Sequence, residues 1–283
     1  MASRGRPAAG DTVVVTGCSS GIGYTLAEGL AQRGYRVLAT ARQEADRQGL
    51  AKIGAEPLPL ELADPDSVQA CAETIKERAA GRLRGLVNNA AYGQPGAVED
   101  LSRAVLREQL EVNLLGTHDL TVRLVPAFRE QGHGRIIQMS SVLGLVSLAY
   151  RGAYQTSKFA LEGLTDTLRL ELSDTAIQPI LIEPGPITSR FGENALAAFR
   201  ARIDPETSPH GHAYHQRVLA SLQGSDPTPG TLGPEAVLAK TIRALEARRP
   251  RPRYYVTWPT YLLAGLRRTL PTGLLDQILG RIG

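Results

Sequence analysis

The sequence predicts an α/β fold built on a parallel, doubly wound sheet, and three observations carry that expectation. Short β-branched or apolar runs alternate with longer segments of helical spacing along nearly the whole chain, and crossover helices between successive strands imply parallel pairing. A glycine-rich turn joins the first run to the first helical segment. Polar residues gather at the carboxyl ends of several expected strands, the edge where open α/β sheets bind ligands.

The elements follow in order. Residues 12–16 (TVVVT) read as a buried strand closed by Gly17, and 22–32 as the first helix. Residues 35–39 (YRVLA) and 57–62 read as the second and third strands. A helix over 65–78 has Asp64 as its N-cap and Pro65 in its first turn. Residues 86–87 are a short fourth strand, 102–129 a long helix, 135–139 (RIIQM) a fifth strand and 153–172 a long amphipathic helix. A sixth strand over 178–182 ends at Pro184-Gly185-Pro186; a helix over 234–247 and a seventh strand over 253–257 follow. Two regions break the rhythm. Residues 191–233, rich in His, Pro, Gly and Ser, read as a substrate lid. Residues 258–283 read as a C-terminal extension of one or two amphipathic helices, broken at Pro271.

Composition narrows the function. A chain of 283 residues, 42% apolar and 5% aromatic, suits one large domain over 1–283 and argues against an all-β sandwich. No run approaches the ~18 apolar residues of a membrane helix, and residues 1–10 hold no apolar leader. Two separated cysteines, Cys18 and Cys71, fit a reducing, cytoplasmic setting without disulfides. The net charge of +4 is uneven: residues 231–283 carry nine Lys/Arg against three Asp/Glu. A solvated basic surface is the plainer reading of that tail, and association with a membrane surface the less favoured one. The arginines of 248–253 lack interleaved aromatics, so they read as a solvated loop and not as a nucleic-acid site. His210, His212 and His215 read as part of a flexible, exposed loop; no metal site is expected.

The chemistry sits in the turns. In Thr16-Gly17-Cys18-Ser19-Ser20-Gly21-Ile22-Gly23, helix N-terminal amides would face the pyrophosphate of a dinucleotide. Gly17 permits the tight turn, Gly21 a close backbone approach, and Gly23 helix-on-strand packing. The second strand ends in Ala39-Thr40-Ala41-Arg42, with no acid to bind a ribose 2′-hydroxyl. Arg42 can bind a 2′-phosphate instead, which favours NADP(H) over NAD(H). Tyr154 and Lys158, four apart, share one helix face. An ammonium near a phenol favours the phenolate, so such a pair is a workable proton donor and acceptor. Asn88-Asn89-Ala90 and Ser140-Ser141 end the fourth and fifth strands at the same edge.

Together these residues resemble the short-chain dehydrogenase/reductase family, in its single-domain form, from residue 11 to about residue 188. The resemblance implies a Rossmann-like, three-layer α/β/α fold with seven strands. It implies that Ser141 hydrogen-bonds the substrate oxygen, Tyr154 donates the proton, Lys158 lowers the tyrosine pKa and binds ribose, and Asn113 holds a water in the proton relay. Asn89, Ala90, Pro184, Gly185, Ile187 and Thr188 are implied to contact the cofactor, together with Ser19, Ser20, Ile22 and the backbone around Glu61 and Leu62. Ala91 replaces the family's usual glycine, and Glu61-Leu62 its usual aspartate after the third strand. The turns at 17–21, 39–42 and 183–186 are similar to the branch of 17β-hydroxysteroid and retinol dehydrogenases, which acts on apolar alcohols and ketones. Homodimers or homotetramers built on the two long helices are implied as well. The alternatives from other classes are a dinucleotide-binding sensor without chemistry and a lipid-surface binder acting through the tail.

Overall fold

A computed structural model describes residues 7–223 and 228–282. Residues 1–6, 224–227 of the expected lid and Gly283 of the extension lie outside the described residues.

The sheet has seven strands: β1 (Thr12–Val15), β2 (Arg36–Ala41), β3 (Glu56–Pro59), β4 (Leu83–Asn88), β5 (Gly134–Met139), β6 (Ile177–Glu183) and β7 (Arg253–Tyr255). Every pairing is parallel, in the order β3-β2-β1-β4-β5-β6-β7. The order reverses between β1 and β4, so the loops after these strands diverge and leave a crevice at the carboxyl edge.

Helices cover both faces. On one lie α1 (Gly21–Gln32) and α10 (Glu235–Glu246), where Leu26, Leu30, Val237 and Leu245 pack on Val13, Val15 and Ile180. On the other lie α3 (Pro65–Ala79) and α5 (Thr117–Gln131), where Ile75, Leu120, Leu124 and Phe128 pack on Val14, Leu86 and Ile136. Strands covered on both faces are apolar almost throughout, as β1 (TVVV) is. The Asp64 carboxylate accepts from Asp66 N, as a capping residue does.

Four expectations need correction. A further helix, α2 (Glu44–Lys52), follows β2; it buries only Leu50, so it lacks the apolar period that would have marked it. Strand β3 stops at Pro59, so Glu61 and Leu62 lie beyond it, in the crevice loop. The long helix over 102–129 is composite: α4 (Arg103–Leu110), a π-helical segment Glu111–Gly116, then α5. The expected lid carries helices separated by turns: α7 (Phe191–Arg202), α8 (Gly211–Ala213), a π segment Tyr214–Leu219 and α9 (Ala220–Gln223). The long amphipathic helix is α6 (Gly152–Glu171); α11 (Trp258–Thr269) and α12 (Thr272–Leu279) meet at Pro271 as expected.

Candidate active site

The crevice is built from paired loops. Thr16, at the end of β1, accepts on Oγ1 from both Asn89 N and Ala90 N at 3.0 Å. The Asn89 amide returns two bonds, to Thr16 O at 2.9 Å and Gly17 O at 3.1 Å. The turn after β1 and the loop after β4 are thus locked together. Gly17 has φ +70, and a Cβ there would lie 2.6 Å from Ala90 Cα. A Cβ on Gly23 would overlap the Gly17 carbonyl oxygen. Only glycine leaves this cradle open, with the first amides of α1 above it. Ser19 is exposed; Ser20, half-buried, makes no side-chain cap bond, so its hydroxyl is free for a ligand.

Arg42 projects from the end of β2, its side chain 72% exposed and 3.6 Å from the Glu61 carboxylate. The two residues expected at the adenosine end therefore meet each other. An open glycine cradle at a helix N-terminus, beside an exposed guanidinium, fits a phosphate-bearing dinucleotide.

The residues expected to be catalytic lie across the crevice. Ser141 follows β5 and caps the short turn Val142–Gly144, its Oγ accepting from Leu143 N at 3.1 Å. The Tyr154 hydroxyl, in the first turn of α6, lies close to the Ser141 side chain. Lys158 is buried; its Nζ donates to Met139 O at 2.7 Å and lies 5.6 Å from the Tyr154 ring centroid. Burial pushes the Tyr154 hydroxyl up to about 12, with Ser141 opposing, and pulls Lys158 down to about 8, with Glu162 opposing. In this state burial outweighs the lowering of the tyrosine that the sequence led us to expect from Lys158.

Asn113 sits in the π segment and spends both ends of its amide on the protein. Its Nδ2 donates to Tyr92 O at 2.9 Å and Ser157 Oγ at 3.1 Å, and its Oδ1 accepts from Tyr92 N at 3.1 Å. It holds the loop after β4 against α6. Pro184 accepts from Val142 N at 2.8 Å, and Gly185 has no room for a Cβ beside Thr257. Ile187 and Thr188 run alongside Leu232, with Thr188 N donating to Leu232 O at 3.0 Å.

Sequence reasoning missed Phe191. Its ring packs edge-on against Tyr154, with centroids 5.3 Å apart, and over Gly93. A single aromatic after a Pro-Gly-Pro turn carries no periodic signal. It also missed Tyr214, fully buried, whose hydroxyl donates to Asp100 and accepts from Ala97 N at 2.8 Å, pinning the lid helices to the crevice loop. The histidine region is correspondingly ordered: His210 pairs with Glu99 and packs against Tyr150, and His215 meets Glu206 at 3.1 Å. Among the described residues no cluster could hold a metal ion. The 248–253 run is not wholly solvated either, since Arg253 enters β7 and binds Glu162, Asp166 and Glu183.

The chain is similar to known proteins. The chain is 38% identical to an uncharacterised oxidoreductase of Escherichia coli over 268 residues, covering 95% of this chain and 93% of that one. It is 36% identical to retinol dehydrogenase 5 of Homo sapiens, covering 96% and 89%, and 34% identical to human 17-beta-hydroxysteroid dehydrogenase type 1, covering 92% and 82%. Among solved structures, a short-chain dehydrogenase from Streptomyces avermitilis matches with a TM-score of 0.78 at 28% identity, covering 95% and 93%. The family model for short chain dehydrogenase matches residues 11–198, from β1 into α7. The chain therefore belongs to the short-chain dehydrogenase family and is an NAD(P)-binding oxidoreductase acting on CH–OH groups.

Proposed function

We propose that the protein interconverts a carbonyl and an alcohol on a small apolar substrate of the steroid, retinoid or lipid class, with NADP(H) as its preferred cofactor. The observation that carries this reading is the convergence of Ser141, Tyr154 and Lys158 across the crevice from the glycine cradle. The bound cofactor supplies or accepts hydride. In reduction, Ser141 and Tyr154 donate hydrogen bonds to the substrate carbonyl oxygen, and Tyr154 O–H passes its proton to that oxygen. The Lys158 ammonium stabilises the phenolate left behind. Oxidation runs the same steps backwards.

One structural feature supports an apolar substrate: Phe191 forms a wall directly against Tyr154. Relatives named for retinol and 17β-hydroxysteroid oxidation make these two alcohols, and their carbonyl forms, the first substrates to try. Arg42 supports NADP(H), because no acid at the end of β2 competes for a ribose hydroxyl.

Parallel fluorescence titrations with NADPH and NADH, followed by turnover of retinaldehyde and a 17-ketosteroid, test the proposal. Tyr154→Phe is expected to lower turnover at least ~100-fold while cofactor affinity stays within about twofold. Equal turnover by this variant would remove Tyr154 from the mechanism. Binding of neither nucleotide would overturn the proposal.

We also propose a cytoplasmic homodimer or homotetramer built on the two long helices. Leu115, Val122, Phe159 and Leu164 are exposed apolar residues on the π segment, α5 and α6.

A further inference from the structure

Behind the catalytic lysine lies a buried cluster of charge that the mechanism above does not use. Glu162 stands one helical turn after Lys158 on α6, on the same face, and is only 7% exposed. Its Oε1 has no hydrogen-bond partner, nor does the Ser140 hydroxyl, and Ser140 directly follows the carbonyl that binds Lys158. Both atoms face Gly144: a Cβ there would lie 2.6 Å from Ser140 Oγ and 3.3 Å from Glu162 Oε1. The turn after the catalytic serine thus keeps a glycine where the two side chains need the space.

Other elements enclose the same carboxylate. Arg253, from β7, binds Glu162, meets Glu183 of β6 at 2.8 Å and reaches Asp166 at 2.6 Å. On the outer side a cavity of about 350 Å³ touches Glu162 and Asp166 and is walled by Arg253, Tyr255 and, from α11, Arg267 and Arg268. Glu183 is fully enclosed, and burial, reinforced by the Glu162 charge, pushes it up to about 8. Burial raises Glu162 as well, and the Arg253 guanidinium paired with its carboxylate opposes that shift.

We propose that Glu162 is a positioning residue for the reaction: its buried carboxylate is the protein's counter-charge to the Lys158 ammonium, and Arg253 holds that carboxylate in place. An ammonium buried this deeply tends to lose its proton, and a neutral lysine cannot stabilise the Tyr154 phenolate. Glu162 offsets that tendency from one turn further along α6, beside Arg253 and the outer cavity.

The inference rests on the Tyr154–Lys158 reading, yet its test needs no substrate. The chain has four lysines, Lys52, Lys76, Lys158 and Lys240, so carbon-13 labelling at lysine gives four resolvable titrations. The Lys158 signal is the one lost in Lys158→Arg. Glu162→Gln is expected to lower its midpoint by about one pH unit, whereas Glu162→Asp leaves it nearly in place. An unchanged midpoint in Glu162→Gln overturns the proposal. Should that variant not fold, Arg253→Lys decides: a smaller shift in the same direction supports the proposal and no shift overturns it. In turnover, the alkaline limb of kcat moves down with the lysine midpoint while KM stays constant; a change in KM alone marks a merely structural role and overturns it. Failure of the catalytic reading shows separately, as activity retained by Tyr154→Phe.

Discussion

Arg42 and Glu61 are 3.6 Å apart at the mouth of the crevice, both more than a third exposed, so their attraction is weak and screened by solvent. A 2′-phosphate, with two charges and several acceptor oxygens, outcompetes one solvated carboxylate for the guanidinium. Arg42→Gln is therefore expected to weaken NADPH binding about tenfold or more and to leave NADH within about twofold, read by cofactor fluorescence. Glu61→Gln frees the arginine and should strengthen NADPH binding modestly. This pairing was half legible in the sequence. Arg42 stood out because no acid precedes it. Its partner was hidden, because the approach of two loops from neighbouring strands has no local sequence signature. Ser141, Tyr154 and Lys158 were legible for the opposite reason, since each lies at a fixed offset from a recognisable strand end or within one helical turn.

At the level of elements, the sheet could be read because its strands are apolar on both faces and bounded by glycine or polar residues. The helix α2 could not, and neither could the π segment, which keeps helical spacing while shifting its backbone bonds. That shift places Gly116 against the Leu62 carbonyl, with no room for a Cβ, and turns Asn113 towards Tyr92 and Ser157. Gly116→Ala must push the crevice loop aside, and a loss of about 1–3 kcal/mol in urea unfolding is expected. Gly23→Ala closes the cradle itself: stability should fall moderately, while binding of either nucleotide is lost in the same fluorescence titration.

For the molecule as a whole, the exposed apolar residues of the two long helices set the expected assembly. Val122→Glu with Phe159→Glu places charge in that contact, and light scattering should show monomers where the parent gives dimers or tetramers. Tryptophan emission offers no shortcut, because the single Trp258 sits in α11, far along the chain from either helix. The apolar faces of α11 and α12 have a different use. Leu263, Leu275 and Leu279 pack with Val146, and half-buried Val142 and Leu148 join them, so the tail backs the turn that carries Ser141. A chain cut after residue 257 is expected to bind NADPH but to lose most of its turnover, because the cradle needs none of these contacts. The same packing sets an order of events during synthesis. The locked turns of Thr16, Gly17, Asn89 and Ala90 are all made by the time β4 and its loop have left the ribosome, but the turn behind Ser141 stays uncovered until residues up to Leu279 have emerged. A nascent chain therefore carries the parts of its glycine turn well before the support of Ser141.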